Sequence, residues 1–445
     1  MNVKNLIDDV ELERLQNETF NYFLYETNPE NGLVIDKTAL DWPSSIAATG
    51  LALAIYPVAV EHGFITRDIA VEKVLTTLRF FWDSRQGPEP DATGYHGFYY
   101  HFLNMRTGKR KWQCELSTVD SAILLAGVLT AGVYFDSNVA REKEIRNLAD
   151  KLYRRADWQW AQNHGLTVTH GWKPERGFLR FRWKGYDEAL ILYILGLGSP
   201  TYPLPENSYS AWTSTYEWIN SYEYEYLYAG PLFTHQLSHI WIDFRGIQDA
   251  FMHSKGIDYF ENSRRATYVQ QRYAIDNPNG FSGYSRNCWG ITASDGPGPR
   301  TLSAEGKKHR YFDYKGRGVP YGPDDGTIAP WAVVASLPFA PEIVLPAINY
   351  LVNEVKLKVG NPYGFKATFN PTYPHKSKNP YGWVSPWHYG INQGPIITMI
   401  ENYKTGFLWK LMQTCPYITN GLRRAGFTGG WLKNNTAIFD DNLMP

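Results

Sequence analysis

Apolar residues recur with helical spacing along most of the chain, and strongly apolar segments tend to alternate with segments that are polar on one face. Residues 8–25, for example, place Leu12, Leu15, Phe20 and Phe23 on one side. The pattern predicts helices at residues 8–25, 43–62, 66–81, 117–135, 138–160, 186–197, 233–253, 259–274, 327–337, 340–359 and 394–412. Helices that are apolar all round are buried, whereas amphipathic ones are half solvated. The alternation therefore predicts an all-α fold, a toroid of helical hairpins with a buried inner ring.

Strand patterns are confined to short segments, near residues 97–103 and 177–183, which predict minor β-hairpins. Three connections, at residues 201–230, 277–326 and 361–394, are longer than a simple helical bundle requires and are rich in aromatic residues, Gly and Pro. Long ordered loops in a compact domain usually carry function. We find no repeat and no linker-like polar segment, so we expect one domain over residues 1–445.

Composition narrows the functional classes. Lys plus Arg equals Asp plus Glu at 44 each, so no basic surface indicates nucleic acid or membrane binding. No apolar run is long enough to span a membrane. Three cysteines without a Cys-x-x-Cys pair indicate neither a disulfide framework nor a zinc site. The first 16 residues lack the apolar segment of a signal peptide, which predicts either a cytoplasmic protein or a sequence without its targeting segment.

Aromatic residues are unusually frequent, at 16 % of the chain with 16 Trp and 31 Tyr. Many stand beside Gly, Pro, Asn or Asp, as loop residues do. An exposed ring beside polar groups suits a sugar, whose C–H face stacks on the ring while its hydroxyl groups need hydrogen-bond partners. A large aromatic core is the alternative, and it explains half or more of these residues.

Residues 112–127 are the central stretch, because a helix that is apolar on nearly every side follows from Ala122 onward. Ser117 and Asp120 have the Ser-x-x-Asp spacing of a capping box, which predicts a helix start at Ser117. Glu115 then lies just outside the N-terminus, where its carboxylate can line a pocket. The alternative is that Asp120 only caps the helix and Glu115 only faces water.

Asp187 and Glu188 open a second apolar helix. The helix dipole alone accounts for two acids at an N-terminus. In a toroid, however, helix N-termini from different hairpins converge at one end, and a pair of convergent carboxyl groups is what glycosidic cleavage needs. Asp325 precedes a third helix, where ordinary N-capping by Asp325 or Thr327 is the stronger explanation.

His235 and His239 are spaced one helical turn apart, as in some zinc sites, but they lack the Glu of metalloprotease motifs and an obvious third ligand. We expect no metal and no cofactor, and we interpret the pair as sugar-binding or core residues. The loop before the last long helix mixes rings, amides and an imidazole, which suits a sugar subsite or a rigid packed loop. Its candidate residues are Trp387, His388, Asn392 and Gln393.

Four ordered motifs resemble the bacterial glucoamylase-like family that contains the β-1,2-glucanases and a domain of cyclic β-1,2-glucan synthases. They are Glu115-Leu-Ser-Thr-Val-Asp120, Gly185-Tyr-Asp-Glu-Ala189, Asn279-Gly-Phe-Ser-Gly283 and Asp325-Gly-Thr-Ile-Ala-Pro-Trp331. The likeness covers nearly the whole chain. It implies an (α/α)6 toroid of about six hairpins, metal-independent action on β-1,2-linked glucose polymers, an inverting outcome and export to the periplasm. The missing signal sequence keeps the cytoplasm as the alternative.

The paired acids and the resemblance together predict a glycoside hydrolase, and the resemblance implies that it acts on β-1,2-glucan or its oligosaccharides, by endo cleavage or by release of sophorose. Glu188 is the predicted general acid, and Asp120 and Glu115 position and activate the attacking water. Predicted substrate-binding residues are Tyr186, Asp187, His235, His239, Asp325, Trp331, Trp387, His388, Asn392 and Gln393. Two alternatives stay open: a retaining transglycosylase with Glu115 as nucleophile, and a non-catalytic glycan-binding protein. The oligomeric state is not predicted.

Overall fold

The computed structural model describes residues 7–304, 306–374 and 381–433. The chain forms two compact units, each assembled from separate parts of the sequence. The first unit comprises Met1–Tyr22, Glu217–Leu237 and Phe260–Lys404. The second comprises Phe23–Tyr216, Ser238–Tyr259 and Thr405–Pro445. The prediction of a single domain over residues 1–445 stays a prediction.

Helices dominate the described residues. The α-helices are α1 (Asp9–Tyr25), α2 (Ile46–Glu61), α3 (Arg67–Asp83), α4 (Thr118–Tyr134), α5 (Ala140–Arg155), α6 (Trp158–Gln162), α7 (Leu190–Gly198), α8 (Asn207–Thr213), α9 (Ala250–Lys255), α10 (Tyr259–Asp276), α11 (Pro330–Ala335), α12 (Pro341–Asn353), α13 (Gly390–Lys404), α14 (Phe407–Gln413) and α15 (Pro416–Arg424). Short 3-10 helices cover Leu232–His235, Leu237–Ile240 and Gly430–Lys433.

The strands are short and form antiparallel pairs. They are β1 (Ser44–Ser45), β2 (Gly94–Tyr95), β3 (Phe98–Tyr100), β4 (Phe102–Leu103), β5 (Leu116–Ser117), β6 (Gly171–Lys173), β7 (Gly177–Phe178), β8 (Trp218–Ser221), β9 (Tyr224–Leu227), β10 (Ile247–Gln248), β11 (Ala293–Ser294), β12 (Arg300–Ala304), β13 (Lys307–Tyr311), β14 (Lys315–Gly316), β15 (Phe369–Asn370), β16 (Trp383–Val384) and β17 (Thr428–Gly429). Five of them, in the order β2-β3-β5-β6-β7, form a small sheet in the second unit.

In the second unit, the helices that are apolar all round form the core. Helix α2 packs on α4 with their backbones in close approach, because a Cβ at Gly127 would lie 1.9 Å from the Gly50 carbonyl oxygen. Both helices are buried along nearly their whole length. The amphipathic helices α3 and α5 pack against each other and cover this pair. The predicted alternation of buried and half-solvated helices is therefore found here.

The first unit has its own core, in which α11 packs against α12 and α13. Helix α1 is attached to α13 by a hydrogen bond from the Gln16 amide to the Ile397 carbonyl, 3.0 Å long. The β8–β9 hairpin packs on α10 through Tyr226, Ala266 and Val269.

Several predicted elements are wrong in extent. The predicted helix at residues 233–253 is instead two 3-10 helices, a loop, strand β10 and α9. The predicted helix at 138–160 is interrupted at Ala156, which takes an extended conformation before Asp157 caps α6. The predicted helix at 394–412 is divided at Gly406, which is left-handed and so cannot continue α13.

All three predicted loops contain regular structure. The region 201–230 includes α8 and the β8–β9 hairpin, and the region 277–326 includes the β12–β13 hairpin. The third, 361–394, includes β15 and β16 but also residues 375–380, which lie outside the described part of the chain. Helix α15 was not predicted. It has only nine residues and begins shortly after α14 ends, so its apolar positions form too short a pattern to be recognised.

Candidate active site

The N-terminus of α4 emerges directly from the centre of the five-stranded sheet. Ser117, the last residue of β5, is the predicted N-cap, and its side chain accepts a hydrogen bond from the Asp120 backbone N–H. The Ser117 hydroxyl in turn donates to the Asp120 carboxylate. In a capping box the acid would instead accept from the N-cap backbone N–H. Here the Asp120 carboxylate pairs with the hydroxyl, and Ser117 lies in the sheet between Tyr99 of β3 and Gly171 of β6.

His101 is the central residue of this site, and the sequence pattern did not single it out. Strands β3 and β5 pair Tyr100 with Leu116, and the His101 backbone N–H donates to the Glu115 carbonyl. The sheet register therefore sets the side chains of His101 and Glu115 next to each other. The imidazole Nδ1 lies 3.0 Å from a Glu115 carboxylate oxygen, and Nε2 lies 3.7 Å from Asp120 Oδ2. His101 thus bridges the two predicted acids.

The charges of this bridge stabilise each other. Burial acts to lower the pKa of His101, but the carboxylates of Asp120, Glu115 and Asp36 outweigh burial and raise this pKa to about 9. The hydrogen bond from His101 holds the pKa of Glu115 down at about 2. At neutral pH the pair is an imidazolium and a carboxylate. Glu115 is therefore an ionised group with an oriented partner, and it does not simply face water.

Asp36 is a second residue that the sequence analysis missed. Its side chain is half-buried, and its Oδ2 accepts a hydrogen bond from the Trp42 indole N–H at 3.0 Å. Burial raises its pKa to about 6, and this effect exceeds the opposing influence of Trp42 and His101. Asp36 follows an isolated β-bridge and belongs to no helix start, so no local pattern marked it.

Asp187 and Glu188 lie in the turn before α7, which begins at Leu190 and not at the predicted residue 186. Asp187 Oδ1 accepts hydrogen bonds from the Ala189 backbone N–H at 2.9 Å and from the Trp212 indole N–H at 3.2 Å. Burial raises the pKa of Asp187 to about 7. Its carboxyl group therefore stabilises the turn before α7 by hydrogen bonds and is also one of the acids of the site.

Glu188 combines burial with negative neighbours. Burial, followed by the charges of Asp187 and Asp120, raises the pKa of Glu188 to about 8, against a smaller lowering by His101. The same interactions place Glu188 within electrostatic range of the His101 bridge. The acids at the two predicted N-termini, at α4 and α7, therefore interact electrostatically within the second unit. We call Asp36, His101, Glu115, Asp120, Asp187 and Glu188 the carboxylate cluster.

Aromatic rings surround the carboxylate cluster. His101 stacks on Phe102, with ring centroids 3.9 Å apart, and Phe102 contacts Trp112 at 5.3 Å. Trp112, half exposed, also meets Trp42 edge-on at 4.8 Å. On the other side the half-buried Tyr186 contacts the rings of Tyr216 and Tyr259. These rings supply the apolar surfaces that a sugar-binding cleft needs.

The predicted histidine pair does not share a helical turn. His235 and His239 lie in two successive 3-10 helices, one in each unit. His235 is buried, its Nε2 donates to the Ala229 carbonyl at 3.2 Å, and burial lowers its pKa to about 4. His239 is buried and contacts the Phe244 ring edge-on at 4.8 Å. Within the described residues, no group of three or more His, Cys, Asp or Glu side chains is arranged to hold a metal ion.

Asp325 and Trp331 lie in the core of the first unit. The Asp325 carboxylate is fully enclosed and pairs with the equally enclosed Arg317, at 2.7 Å. It also accepts hydrogen bonds from the backbone N–H groups of Phe312 and Thr327. Trp331 is 5 % exposed on α11. An enclosed, fully paired carboxylate holds a loop in place, so the geometry favours the structural explanation of Asp325.

The predicted loop residues before α13 also lie in the first unit. Trp387 is half-buried, whereas His388, Asn392 and Gln393 are buried. The Gln393 amide donates to the carbonyls of Tyr363 and Phe365. Burial lowers the pKa of His388 to about 3, so its imidazole is neutral. These contacts agree with the packed-loop explanation, and the role of the four residues in sugar binding stays a prediction.

A sequence model of the glycoamylase family, described as "Putative glucoamylase", matches residues 180–416, which is more than half of the chain. The chain belongs to this family. The resemblance inferred from the four motifs is therefore confirmed.

Solved structures extend the likeness over nearly the whole chain. A member of the glucoamylase-like group from Bacteroides uniformis is 33 % identical with a TM-score of 0.84, and the match covers 96 % of this chain and 100 % of that one. An endo-β-1,2-glucanase from Chitinophaga pinensis, solved with sophorotriose and glucose, is 26 % identical with a TM-score of 0.82, covering 95 % and 98 %. The fold class is the predicted glucoamylase-like (α/α)6 type with minor β-hairpins.

A curated relative from Parabacteroides distasonis is an exo β-1,2-glucooligosaccharide sophorohydrolase acting at the non-reducing end. It is 28 % identical over 454 residues, covering 94 % of this chain. The present chain spans 58 % of the length of that relative.

Proposed function

We propose that this family member is a glycoside hydrolase that cleaves β-1,2-glucan or β-1,2-glucooligosaccharides with the carboxylate cluster of the second unit. The observation that carries the proposal is the large difference in pKa between two carboxyl groups. Glu188 stays protonated to about pH 8, whereas Glu115 is ionised above about pH 2. Titratable groups whose environments push their pKa values apart are a signature of paired acid and base roles. The relatives named above supply the substrate class.

Glu188 acts as the general acid. Its carboxylic proton passes to the glycosidic oxygen as the bond between that oxygen and the anomeric carbon breaks. A group of pKa near 8 is still protonated at neutral pH, when most carboxyl groups are not. The neighbouring Asp187 and Asp120 favour the protonated state of Glu188 before cleavage.

Glu115 and Asp120 act on the water molecule. The carboxylate that serves as base takes a proton from water while the water oxygen bonds to the anomeric carbon, which inverts the configuration. His101 orients both acids, because its two ring nitrogens face Glu115 and Asp120. A retaining route with Glu115 as nucleophile is the alternative, and the anomer released in the first turnovers distinguishes the two.

The test is a reducing-sugar assay on β-1,2-glucan, starch, cellulose and laminarin, with separation of the products by chain length. We expect release of products from β-1,2-glucan alone. Sophorose throughout the reaction indicates exo action, whereas a range of oligosaccharides indicates endo action. Comparable rates on an α-1,4 or β-1,4 glucan contradict the substrate assignment, and binding without products identifies a glycan-binding protein.

The proposed partner is the glucan itself.

Among the described residues no helix is long and apolar enough to cross a membrane. We propose a periplasmic location, which the family resemblance supports, with the cytoplasm as the alternative. Fractionation of cells that express the natural gene distinguishes the two.

A further inference from the structure

A groove of about 660 Å³ lies on the second unit, and its walls contain none of the predicted catalytic or substrate-binding residues. One wall is the extended segment 180–184, the other is α8, and Leu166 and Thr167 form the floor. Its volume is in the range of small-ligand sites. The groove therefore has room for a ligand that the carboxylate cluster does not account for.

The walls of this groove have the chemistry of a sugar site. Phe181 is 71 % exposed and Leu166 60 % exposed, so the groove offers two apolar surfaces to solvent. The exposed side chains of Arg180, Lys184 and Ser210 surround them with hydrogen-bond donors. A ring face bordered by donors matches a pyranose, which is apolar on its face and polar at its rim.

The groove is rigidly built. The Arg182 guanidinium donates to the carbonyls of Gln162, Asn163 and Thr167, and so holds the floor against the extended wall. The His170 backbone N–H donates to the Phe181 carbonyl at 3.0 Å, which ties the same wall to the sheet. A preformed surface loses little conformational entropy when a ligand binds.

The groove and the carboxylate cluster share structural elements. Helix α8 presents Asn207, Ser210 and Ala211 to the groove, while Trp212 on its buried face donates to Asp187. On the opposite wall, Phe181 contacts His170, with ring centroids 6.1 Å apart. His170 in turn interacts electrostatically with Glu115. The groove is therefore linked to the cluster through α8 on one wall and through Phe181 and His170 on the other.

We infer that this groove is a second glucan-binding site, which holds part of a long β-1,2-glucan chain while another part lies at the carboxylate cluster. The inference rests on the proposed function, because that function supplies the ligand. Glucose units stack on Phe181, and their hydroxyl groups accept hydrogen bonds from Arg180 and Lys184 and pair with Ser210. We expect the groove to bind glucose units beyond a trisaccharide held at the cluster, so that changes in the groove affect long chains more than short ones.

The experiment measures binding by isothermal titration calorimetry in the Glu188→Gln background, where turnover is suppressed. The probes are a long linear β-1,2-glucan and sophorotriose. Phe181→Ala removes the stacking ring, and Ser210→Leu fills the groove from the opposite wall while favouring the helix. Tyr25→Ala is the matched control, because Tyr25 is another exposed aromatic residue of the second unit, outside the groove.

We expect both groove variants to weaken long-glucan binding about tenfold, or about 1.4 kcal/mol. Sophorotriose affinity should change by less than about twofold, and the control should bind both probes normally. Equal loss for the two probes, or no loss for either, overturns the inference. If the Glu188→Gln protein binds neither probe and the unmodified protein cleaves no β-1,2-glucan, the proposed function has failed. If the unmodified protein cleaves β-1,2-glucan normally but both groove variants keep their affinity for the long glucan, the second binding site is refuted and the proposed function stands.

Discussion

Glu188→Gln should make the protein more stable at pH 8 while it removes most of the turnover. The pKa of Glu188 is raised from 4.5 to about 8 in the folded state. Between these values the folded protein holds a proton that the unfolded chain has lost. The stability associated with Glu188 is therefore complete below about pH 4.5 and is lost as the pH rises through about 8. Gln cannot ionise, so the variant does not undergo this loss.

The magnitude follows from the size of the pKa change. At about 1.36 kcal/mol per pKa unit, a rise from 4.5 to about 8 sets an upper limit near 5 kcal/mol. The side chain is only half-buried and solvent screens it, so we expect about 1–3 kcal/mol at pH 8. In a chain of 445 residues that corresponds to a rise in Tm of roughly 1–3 °C. Turnover should fall by roughly two to four orders of magnitude, as expected for losing general acid catalysis.

The assay is thermal unfolding of both proteins between pH 4.5 and pH 9, combined with kcat on β-1,2-glucan at each pH. Glu30→Gln is the control, because Glu30 is an exposed glutamate of the same unit outside the carboxylate cluster. The difference in Tm should be near zero at pH 4.5 and grow towards pH 8. A difference that is constant with pH refutes the assignment of the raised pKa to Glu188, and a fully active variant refutes its catalytic role.

Four further predictions concern the same cluster. In the unmodified enzyme, kcat/KM should fall above about pH 8 as Glu188 ionises; a profile that is flat to pH 10 contradicts the acid assignment. His101→Asn should move the acidic limb of the kcat/KM profile upward from about pH 2 towards the ordinary pKa of Glu115, and an unshifted limb contradicts the bridge. The variant should also lower Tm, most strongly below about pH 6.5, because the stability that His101 contributes is lost as the pH rises through about 9. Asp120→Asn should lower kcat at least tenfold with a stability loss of only about 1 kcal/mol, whereas near-normal turnover in the folded variant reduces Asp120 to a capping residue. Activity should persist in EDTA; loss on chelation with recovery on adding zinc contradicts the metal-free mechanism.

The sequence alone determined the features that depend on local pattern. Helices α2 and α4 are apolar on every side, so their burial follows from composition within a single segment. The cap at Ser117 depends on residues three positions apart, and it was predicted correctly. Glu115, Asp120 and Glu188 were proposed for the same reason, from their places beside the starts of α4 and α7, and their catalytic roles stay a prediction. The four motifs then pointed to the family, since four motifs in a fixed order are far more specific than any one of them alone.

Only the tertiary structure decided how these acids are charged and which residues accompany them. His101 contacts Glu115 because β3 pairs with β5, and the residues around His101 do not predict that strand pairing. Asp36 joins the cluster because Ile35 bridges Ser44 of β1, and β1 pairs with the distant strand β4, which follows His101. The failure at residues 233–253 has a related cause, because short 3-10 turns are stabilised by the surrounding protein rather than by their own periodicity. The pKa of a carboxyl group depends on its burial and its neighbouring charges, and both exist only once the chain has folded.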